Sequence, residues 1–398
     1  MEKLPCSIFN DVLGPVMRGP SSSHVAGAAR IASMIRQSLD APVKKAIVDF
    51  VHRYHFRRGL RAAGCSRRAE SAAGRHAVWR EYSVKTLKWG LLYTAAFLAA
   101  FVGSALLKMN SDPTHGKYNT RWDETVGKAY TDLPYGEGAA NKFDLYVPAD
   151  KSQDAYGLVV YLHAGGFTGG DKAEDAEMLE WLCSKGYVAA GINYTLFTEE
   201  NPDASVYSQS EEIKAAMPYV VAAAEKLGYK LDRMAISGGS AGGCLALLYA
   251  YRDADTSPLP VRMVFEAVGP GSFHVEDWGI FGLDQSPAAA AGLFSVMSGQ
   301  ALTPEDIASG AYLEAVKPIS ADRWVTKDTV PSVLCYGAYD KMQPFSASKP
   351  LVAALEKNGV DHRHFVAEHS GHGLQNDNKA YLEYLDAVVE YLDKYMND

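Results

Sequence analysis

The last two thirds of the chain predict an α/β fold, a mostly parallel sheet covered by helices on both faces with a small cap insertion, preceded by a single transmembrane or signal helix. Three observations point there. From about residue 127, short apolar runs alternate with helical patterns, the order that builds parallel strands joined by crossover helices. One such strand, Arg233-Met234-Ala235-Ile236, runs through Ser237-Gly238-Gly239-Ser240-Ala241-Gly242-Gly243 into the helical run Cys244 to Tyr249. A serine on so sharp a turn has its hydroxyl pushed out at the sheet edge, and only small residues fit beside it. Upstream, Trp89 to Leu107 carries no charge over nineteen residues.

Taken in order, residues 1 to about 50 read as the start of a compact domain. Ile8-Phe9 and Val12-Leu13 lead to Gly14-Pro15-Val16-Met17 and Gly19-Pro20-Ser21-Ser22-Ser23-His24. The serines suit the cap of a helix carrying Ala26, Ala29, Ile31, Ala32 and Ile35, and Lys45 to Phe50 reads as a strand. This stretch resembles the N-terminus of the beta subunit or domain of bacterial iron-sulfur L-serine dehydratases, whose pattern is close to SIFD-x-x-GPVM-x-GPSSSH-x-AGA. The resemblance covers about an eighth of the chain and ends after Phe50, and that family's cluster cysteines have no counterpart. It implies an L-serine ammonia-lyase as an alternative function, one that the remaining residues do not complete.

Residues 51 to 83 are rich in Arg, Ala and Gly and show no apolar period, so 51–88 is expected to be a disordered basic linker rather than a nucleic-acid or lipid-binding arm. A truncated dehydratase start, joined through intergenic sequence to a second gene near Val84, accounts for both segments. Lys85 and Lys88 then precede the uncharged run 89–107. At about 1.5 Å per residue it spans about 28 Å, close to the roughly 30 Å of a hydrocarbon core. The basic flank keeps the N-terminus cytoplasmic and exports the chain beyond Lys108. The expectation is a single-pass cell-membrane anchor with an extracytoplasmic domain at 111–398. Cleavage near Gly103-Ser104-Ala105, a weak signal, would instead leave that domain secreted.

Within that domain, Lys128 to Leu133 and Phe143 to Val147 read as edge strands. Gly157 to His163 and Tyr187 to Tyr194 read as buried strands around a helix at Asp171 to Ser184. A helix at Ser210 to Leu227 leads to the strand into Ser240, followed by the strands Val261 to Val268 and Pro331 to Gly337. A helix at Ser346 to Asn358, the strand His362 to Ala367 and a helix at Asn378 to Tyr395 close the chain. Gly269 to Ser309, with Phe273, His274, Trp278, Phe281, Phe294 and Met297, is too irregular for the sheet. It is placed as a small cap over the site (about 269–310), whose aromatic residues suit either ordinary packing or an acyl pocket, with the position favouring the pocket.

Composition excludes several functions. Hydrophobic residues at 47% and charged residues at 22% describe a globular protein with an ample core. Residues 1–110 hold 17 Lys and Arg against 6 Asp and Glu, whereas the rest hold 22 against 41. So acidic a larger part argues against nucleic-acid binding. Cys6, Cys65, Cys183, Cys244 and Cys335 have no metal-like spacing, and no phosphate loop or cofactor site is evident.

The chemistry assembles from residue types. A serine hydroxyl needs a base near neutral pH; an imidazole serves, and a carboxylate fixes its tautomer and stabilises the cation that forms. His362 and His364 alternate within a strand and His369 starts a turn, whereas His372 lies in the flexible Ser370-Gly371-His372-Gly373 at the edge where Ser240 emerges. Asp340 follows the strand PSVLCYG and falls between nucleophile and base; Asp361 and Asp377 suit a turn and a helix cap better. The triad expected is Ser240, Asp340 and His372. Donors for the oxyanion are expected from the amides of Gly165 and Gly166, in His163-Ala164-Gly165-Gly166-Phe167, and of Ala241.

Residues from about 127 to 396 thus resemble an α/β-hydrolase with an HGGG-like oxyanion loop, similar to BD-FAE-type carboxylesterases and the hormone-sensitive lipase-like enzymes. The stretches that carry the resemblance are FDLYVP, YLHAGGFTGGDK, GYVAAGINYTLF, ISGGSAGG, VLCYGAYDKMQPF and SGHGLQND. It implies a serine carboxylesterase that cleaves small-molecule acyl esters through an acyl-enzyme, without metal or cofactor. A non-catalytic binding module on the same fold is the remaining alternative. Two departures stand out: Ala164 replaces the first glycine of the HGGG pattern, and Asn193-Tyr194-Thr195-Leu196 stands where the family has D-Y-R-L, which removes an internal salt bridge.

Overall fold

The computed structural model describes residues 120–397, Tyr118, and residues 92–93, 95–104 and 106. The dehydratase-like segment 1–50, the linker 51–88 and both ends of the 89–107 run lie outside the described residues, as do Cys6 and Cys65.

Eight strands among the described residues form one sheet in the order β1-β2-β4-β3-β5-β6-β7-β8. They are β1 (Gly127–Pro134), β2 (Lys142–Pro148), β3 (Tyr156–Leu162), β4 (Val188–Ile192), β5 (Leu231–Gly239), β6 (Val261–Ala267), β7 (Ser332–Gly337) and β8 (His362–Ala367). β1 and β4 each pair antiparallel with β2, and all other pairs are parallel. The edge strand β1 is exposed or half-buried beyond Gly127 and carries a bulge between Tyr130 and Leu133. Central β4, buried throughout, reads as an unbroken apolar run because helices cover both of its faces.

The alternation of side chains divides the interior into two cores. On one face Leu158, Val160, Leu162, Ile236, Val264 and Leu334 pack with the helices α2 (Val206–Lys226), α3 (Ala241–Arg252) and α7 (Lys349–Asn358). On the other, Val159, Ala189, Ala235, Phe265 and Val333 pack under α1 (Ala176–Ser184) and α8 (Asn378–Met396). α8 turns Tyr384, Leu385, Val388, Tyr391 and Leu392 inward, the spacing of a single apolar stripe. α2 begins four residues before the helix predicted from Ser210, because Ser205 and Ser208 form a reciprocal capping box ahead of the first apolar position.

The segment between β6 and β7 folds as a 3-10 turn at Val275–Phe281 followed by α4 (Pro287–Ser298), α5 (Pro304–Ser309) and α6 (Tyr312–Val316). Of the two readings of its aromatic residues, Phe273, Trp278 and Phe294 follow ordinary packing. Phe273 stacks on Trp278 at 5.5 Å, Phe294 stacks on Tyr312 at 5.8 Å, and both pairs are buried in the main core. Aromatic area buried this way stabilises the insertion itself.

Residues 92–93, 95–104 and 106 are helical, and Leu92, Phe97, Phe101 and Leu106 are exposed. This helix and the sheet domain belong to separate compact units. Among the described residues no helix is long and apolar enough to cross a membrane. The expected span 89–107 lies partly outside the described residues, which cover only 92–93, 95–104 and 106 of it.

Candidate active site

β5 delivers Ser240 to the end of the sheet in a strained conformation, φ 54° and ψ −119°. The strain persists because the turn is fixed from both sides. The Ser240 amide donates to the Ala267 carbonyl on β6 at 2.8 Å, and its own carbonyl accepts from the Cys244 amide at 3.1 Å as α3 begins. Close approach to β3 dictates the glycines on either side. A Cβ on Gly238 would lie 2.8 Å from the Leu162 carbonyl oxygen, and one on Gly242 would collide with that same atom. The G-x-S-x-G spacing is therefore a packing requirement of this turn.

Nε2 of His372 lies 2.8 Å from Ser240 Oγ, and Nδ1 of the same ring lies 2.7 Å from Asp340 Oδ2. The second oxygen of Asp340 accepts from the amides of Met342 at 2.8 Å and Gln343 at 3.0 Å. Both side chains are withdrawn from solvent, to 12% exposure for His372 and 2% for Asp340. The three residues singled out by chain order thus meet in one hydrogen-bonded series, across separations of 132 and 32 positions.

The residues set aside lie elsewhere. His362 bonds the Val360 carbonyl, and His364 stands on the sheet face against Tyr336 and Phe345. Asp361 receives the Tyr391 hydroxyl at 2.6 Å and the Lys394 ammonium at 2.8 Å. Asp377 departs from its expected role, because its side chain makes no cap bond to α8. Its carboxylate instead clamps the histidine loop, accepting from the His369 amide at 2.8 Å and the Ser370 hydroxyl at 2.6 Å and meeting the His369 ring at 2.9 Å. The Tyr339 amide donates to the Ser370 carbonyl at 2.9 Å, which ties the acid loop to the base loop.

Residues 163–172 form the second wall. Gly165 has φ 135° and Gly166 φ 60°, and Phe167 follows at φ 64°. The Gly165 carbonyl accepts from the Thr168 and Gly169 amides, closing a tight turn. Among the described residues the amides of Gly165, Gly166 and Ala241 donate to no acceptor. The loop rests on buried supports. His163 stacks on Tyr194 at 4.2 Å, the Tyr194 hydroxyl donates to the His163 carbonyl at 2.9 Å, and burial pushes the His163 pKa down, so the ring is neutral near pH 7. Fully buried Gln209 donates to the Phe167 and Thr195 carbonyls at 2.9 Å each.

Asn193 makes good its missing charge with hydrogen bonds. Its Nδ2 donates to Asp171 at 2.7 Å and its Oδ1 accepts from the Lys172 amide at 2.7 Å. Lys172 anchors the loop's end, its Nζ 2.9 Å from Asp132 and 3.1 Å from the buried Asp144. Sequence reasoning missed Gln209, because a lone glutamine in a helical run carries no local signal.

Cys183, Cys244 and Cys335 are free and buried. Burial pushes the thiols of Cys183 and Cys335 up to about 12 and that of Cys244 higher, so these sulfurs pack as apolar atoms. Among the described residues no group of His, Cys, Asp and Glu is arranged to hold a metal ion.

Comparison with known proteins falls on this region. The family model described as BD-FAE matches residues 143–355, just over half of the chain. The kynurenine formamidase of Salmo salar is 34% identical over 98 residues, 25% of this chain and 33% of that protein. The chain spans only a third to a half of the length of the curated relatives it matches first. Among solved structures, the thermophilic esterase Est2 of Thermogutta terrifontis superposes with a TM-score of 0.53 at 21% identity, over 68% of this chain and 93% of that one. At that identity the likeness is one of fold, and the fold is that of the α/β-hydrolases. The N-terminal segment matches separately: a protein of Bacillus subtilis described as a probable L-serine dehydratase beta chain is 52% identical over 44 residues, 11% of this chain and 20% of that protein.

Proposed function

The chain belongs to the BD-FAE family, and from that premise we propose that it is a serine hydrolase cleaving carboxylic esters of small molecules through an acyl-enzyme. The observation that carries the proposal is the series from Ser240 Oγ through the His372 ring to Asp340, at 2.8 Å and 2.7 Å.

In this reaction His372 Nε2 takes the proton of Ser240 as its oxygen bonds to the ester carbonyl carbon. The π electrons move onto the carbonyl oxygen, where the amides of Gly165, Gly166 and Ala241 receive the charge. Asp340 holds the imidazole in the tautomer whose Nε2 accepts and stabilises the imidazolium. Collapse breaks the bond to the alcohol oxygen, which leaves with the proton from His372. Water, deprotonated by the same ring, then releases the acid and restores Ser240.

The match to a formamidase supports a second reading, in which the scissile bond is the C–N bond of a formamide. A fluorophosphonate probe followed by peptide mass spectrometry tests the shared mechanism. An adduct on Ser240 is expected, and an unlabelled protein favours the non-catalytic binding module. A panel of aryl esters and N-formyl arylamines then separates ester from formamide. For residues 89–107 the proposal is a retained membrane anchor that places the hydrolase domain outside the cytoplasm, supported by the uncharged run behind Lys85 and Lys88. Its test is whether the native protein stays with membranes in alkaline carbonate.

A further inference from the structure

One carboxyl beneath the nucleophile turn takes no part in these steps. Glu266 lies on β6 as the register partner of Gly238, and it is fully buried. Its Oε2 accepts from the Gly269 amide at 2.7 Å. The same oxygen occupies the space where a side chain on Gly243 would begin, 2.9 Å from that Cβ position, and 2.8 Å from the equivalent position on Gly269. A Cβ on Gly269 would also lie 2.7 Å from the Cys244 amide nitrogen. The carboxyl, the first turn of α3 and the chain leaving β6 therefore interlock, with two glycines making the room. The residue after Glu266, Ala267, accepts the Ser240 amide at 2.8 Å.

We propose that Glu266 is a positioning residue of the acyl-transfer site: its carboxyl, wedged between Gly243 and Gly269, holds the turn that carries Ser240 and the Ala241 amide. The inference rests on the acyl-transfer reading of Ser240.

The charge state of this group decides whether the wedge helps or hinders. Burial pushes the Glu266 carboxyl up to about 8, tempered by the Tyr336 hydroxyl and the Gly269 amide, so it is uncharged at neutral pH. Glu266 Oε1 and the Tyr336 hydroxyl are both buried and adjoin one another, yet neither reaches hydrogen-bond geometry. The titratable groups facing Glu266 are Tyr336 and Cys335 from β7, Cys244 and Tyr251 from α3, Tyr161 from β3 and Tyr384 from α8. All are neutral at pH 7, and the cation that acts on Cys244, Arg252, is paired with Asp253 and Glu211.

Ionised, Glu266 would put a negative charge under the helix start whose Ala241 amide receives the oxyanion. In so dry a place that charge opposes the charge developing on the substrate. It would also draw the first amides of α3 towards itself.

The test is the pH profile of kcat/KM for p-nitrophenyl acetate, corrected for spontaneous hydrolysis, in wild type, Glu266→Gln and Tyr336→Phe. Glutamine keeps the acceptor for Gly269 and cannot ionise. Wild type is expected to lose about tenfold between pH 7 and pH 9, as a single group near 8 requires. Glu266→Gln should lose less than about twofold over that range. Tyr336→Phe should move the falling limb to higher pH, since the hydroxyl that favours ionisation is gone. An alkaline limb unchanged in Glu266→Gln overturns the proposal, and if that variant does not fold, an unmoved limb in Tyr336→Phe does so. Wild type that takes no fluorophosphonate label at pH 7 overturns the acyl-transfer reading itself, which is a separate outcome.

Discussion

The ring of His372 stands 2.7 Å from Asp340, and that carboxylate is itself fixed by the amides of Met342 and Gln343, two and three residues further along its own loop. The acid is thus aimed before any substrate arrives. Asp340→Asn keeps the shape but offers the imidazole a donor in place of an acceptor, which favours the wrong tautomer. The expected result is a fall in kcat on the order of 10⁴-fold with KM little changed. Steady-state ester hydrolysis checks it, and kcat within tenfold of wild type would remove Asp340 from the triad.

The clamp from Asp377 to His369 and Ser370 predicts a milder loss. Asp377→Ala leaves the triad residues intact but frees the loop that presents His372. We expect kcat to fall by about 10- to 100-fold, since small displacements of a base are costly, while fluorophosphonate still labels Ser240 at a reduced rate. Labelling at the wild-type rate counts against the clamp.

Lys172 is the cation for the buried Asp144 at the root of the oxyanion loop, with side-chain exposures of 4% and 3%. Lys172→Met strands that carboxylate in the interior. Removing one partner of a buried pair costs about 3–5 kcal/mol, measurable as a shift in the urea midpoint. Unchanged stability would mean that Asp144 finds another donor.

His274, in the insertion, pairs with Asp322 at 3.3 Å, and the hydrogen bond to that carboxylate raises the imidazole above its usual value. The folded state binds the proton more tightly than the unfolded chain. The pair's contribution is therefore complete below about pH 6.5, the unfolded value, and is lost as pH rises through the folded one. The stability gap between wild type and His274→Asn should narrow from pH 5.5 to pH 8.5 in chemical denaturation. A gap that widens contradicts the assignment.

Much of this site was legible because its chemistry forces local signals. The glycines at 238 and 242 are demanded by the Leu162 carbonyl and, at 238, by the Gly242 backbone as well, so the turn announces itself in sequence. His372 and Asp340 stand in loops after strands whose apolar runs are unmistakable. What stayed hidden depends on partners distant in sequence. Asp377 sits where a cap residue belongs, and only the folded loop turns its carboxylate towards Ser370. Glu266 is one acidic letter in an apolar strand, with no local mark of the glycines that receive it. The aromatic residues of the insertion suggest a pocket when read as a string, whereas in the fold they satisfy one another.

The most direct measurement of the central claim is ester hydrolysis by Ser240→Ala. The substitution removes one oxygen and leaves the turn, the histidine and the amides in place, so folding by circular dichroism should match wild type. Turnover of p-nitrophenyl acetate is expected to fall on the order of a million-fold, towards the background rate. Hydrolysis at the wild-type rate by a folded Ser240→Ala protein would contradict the account.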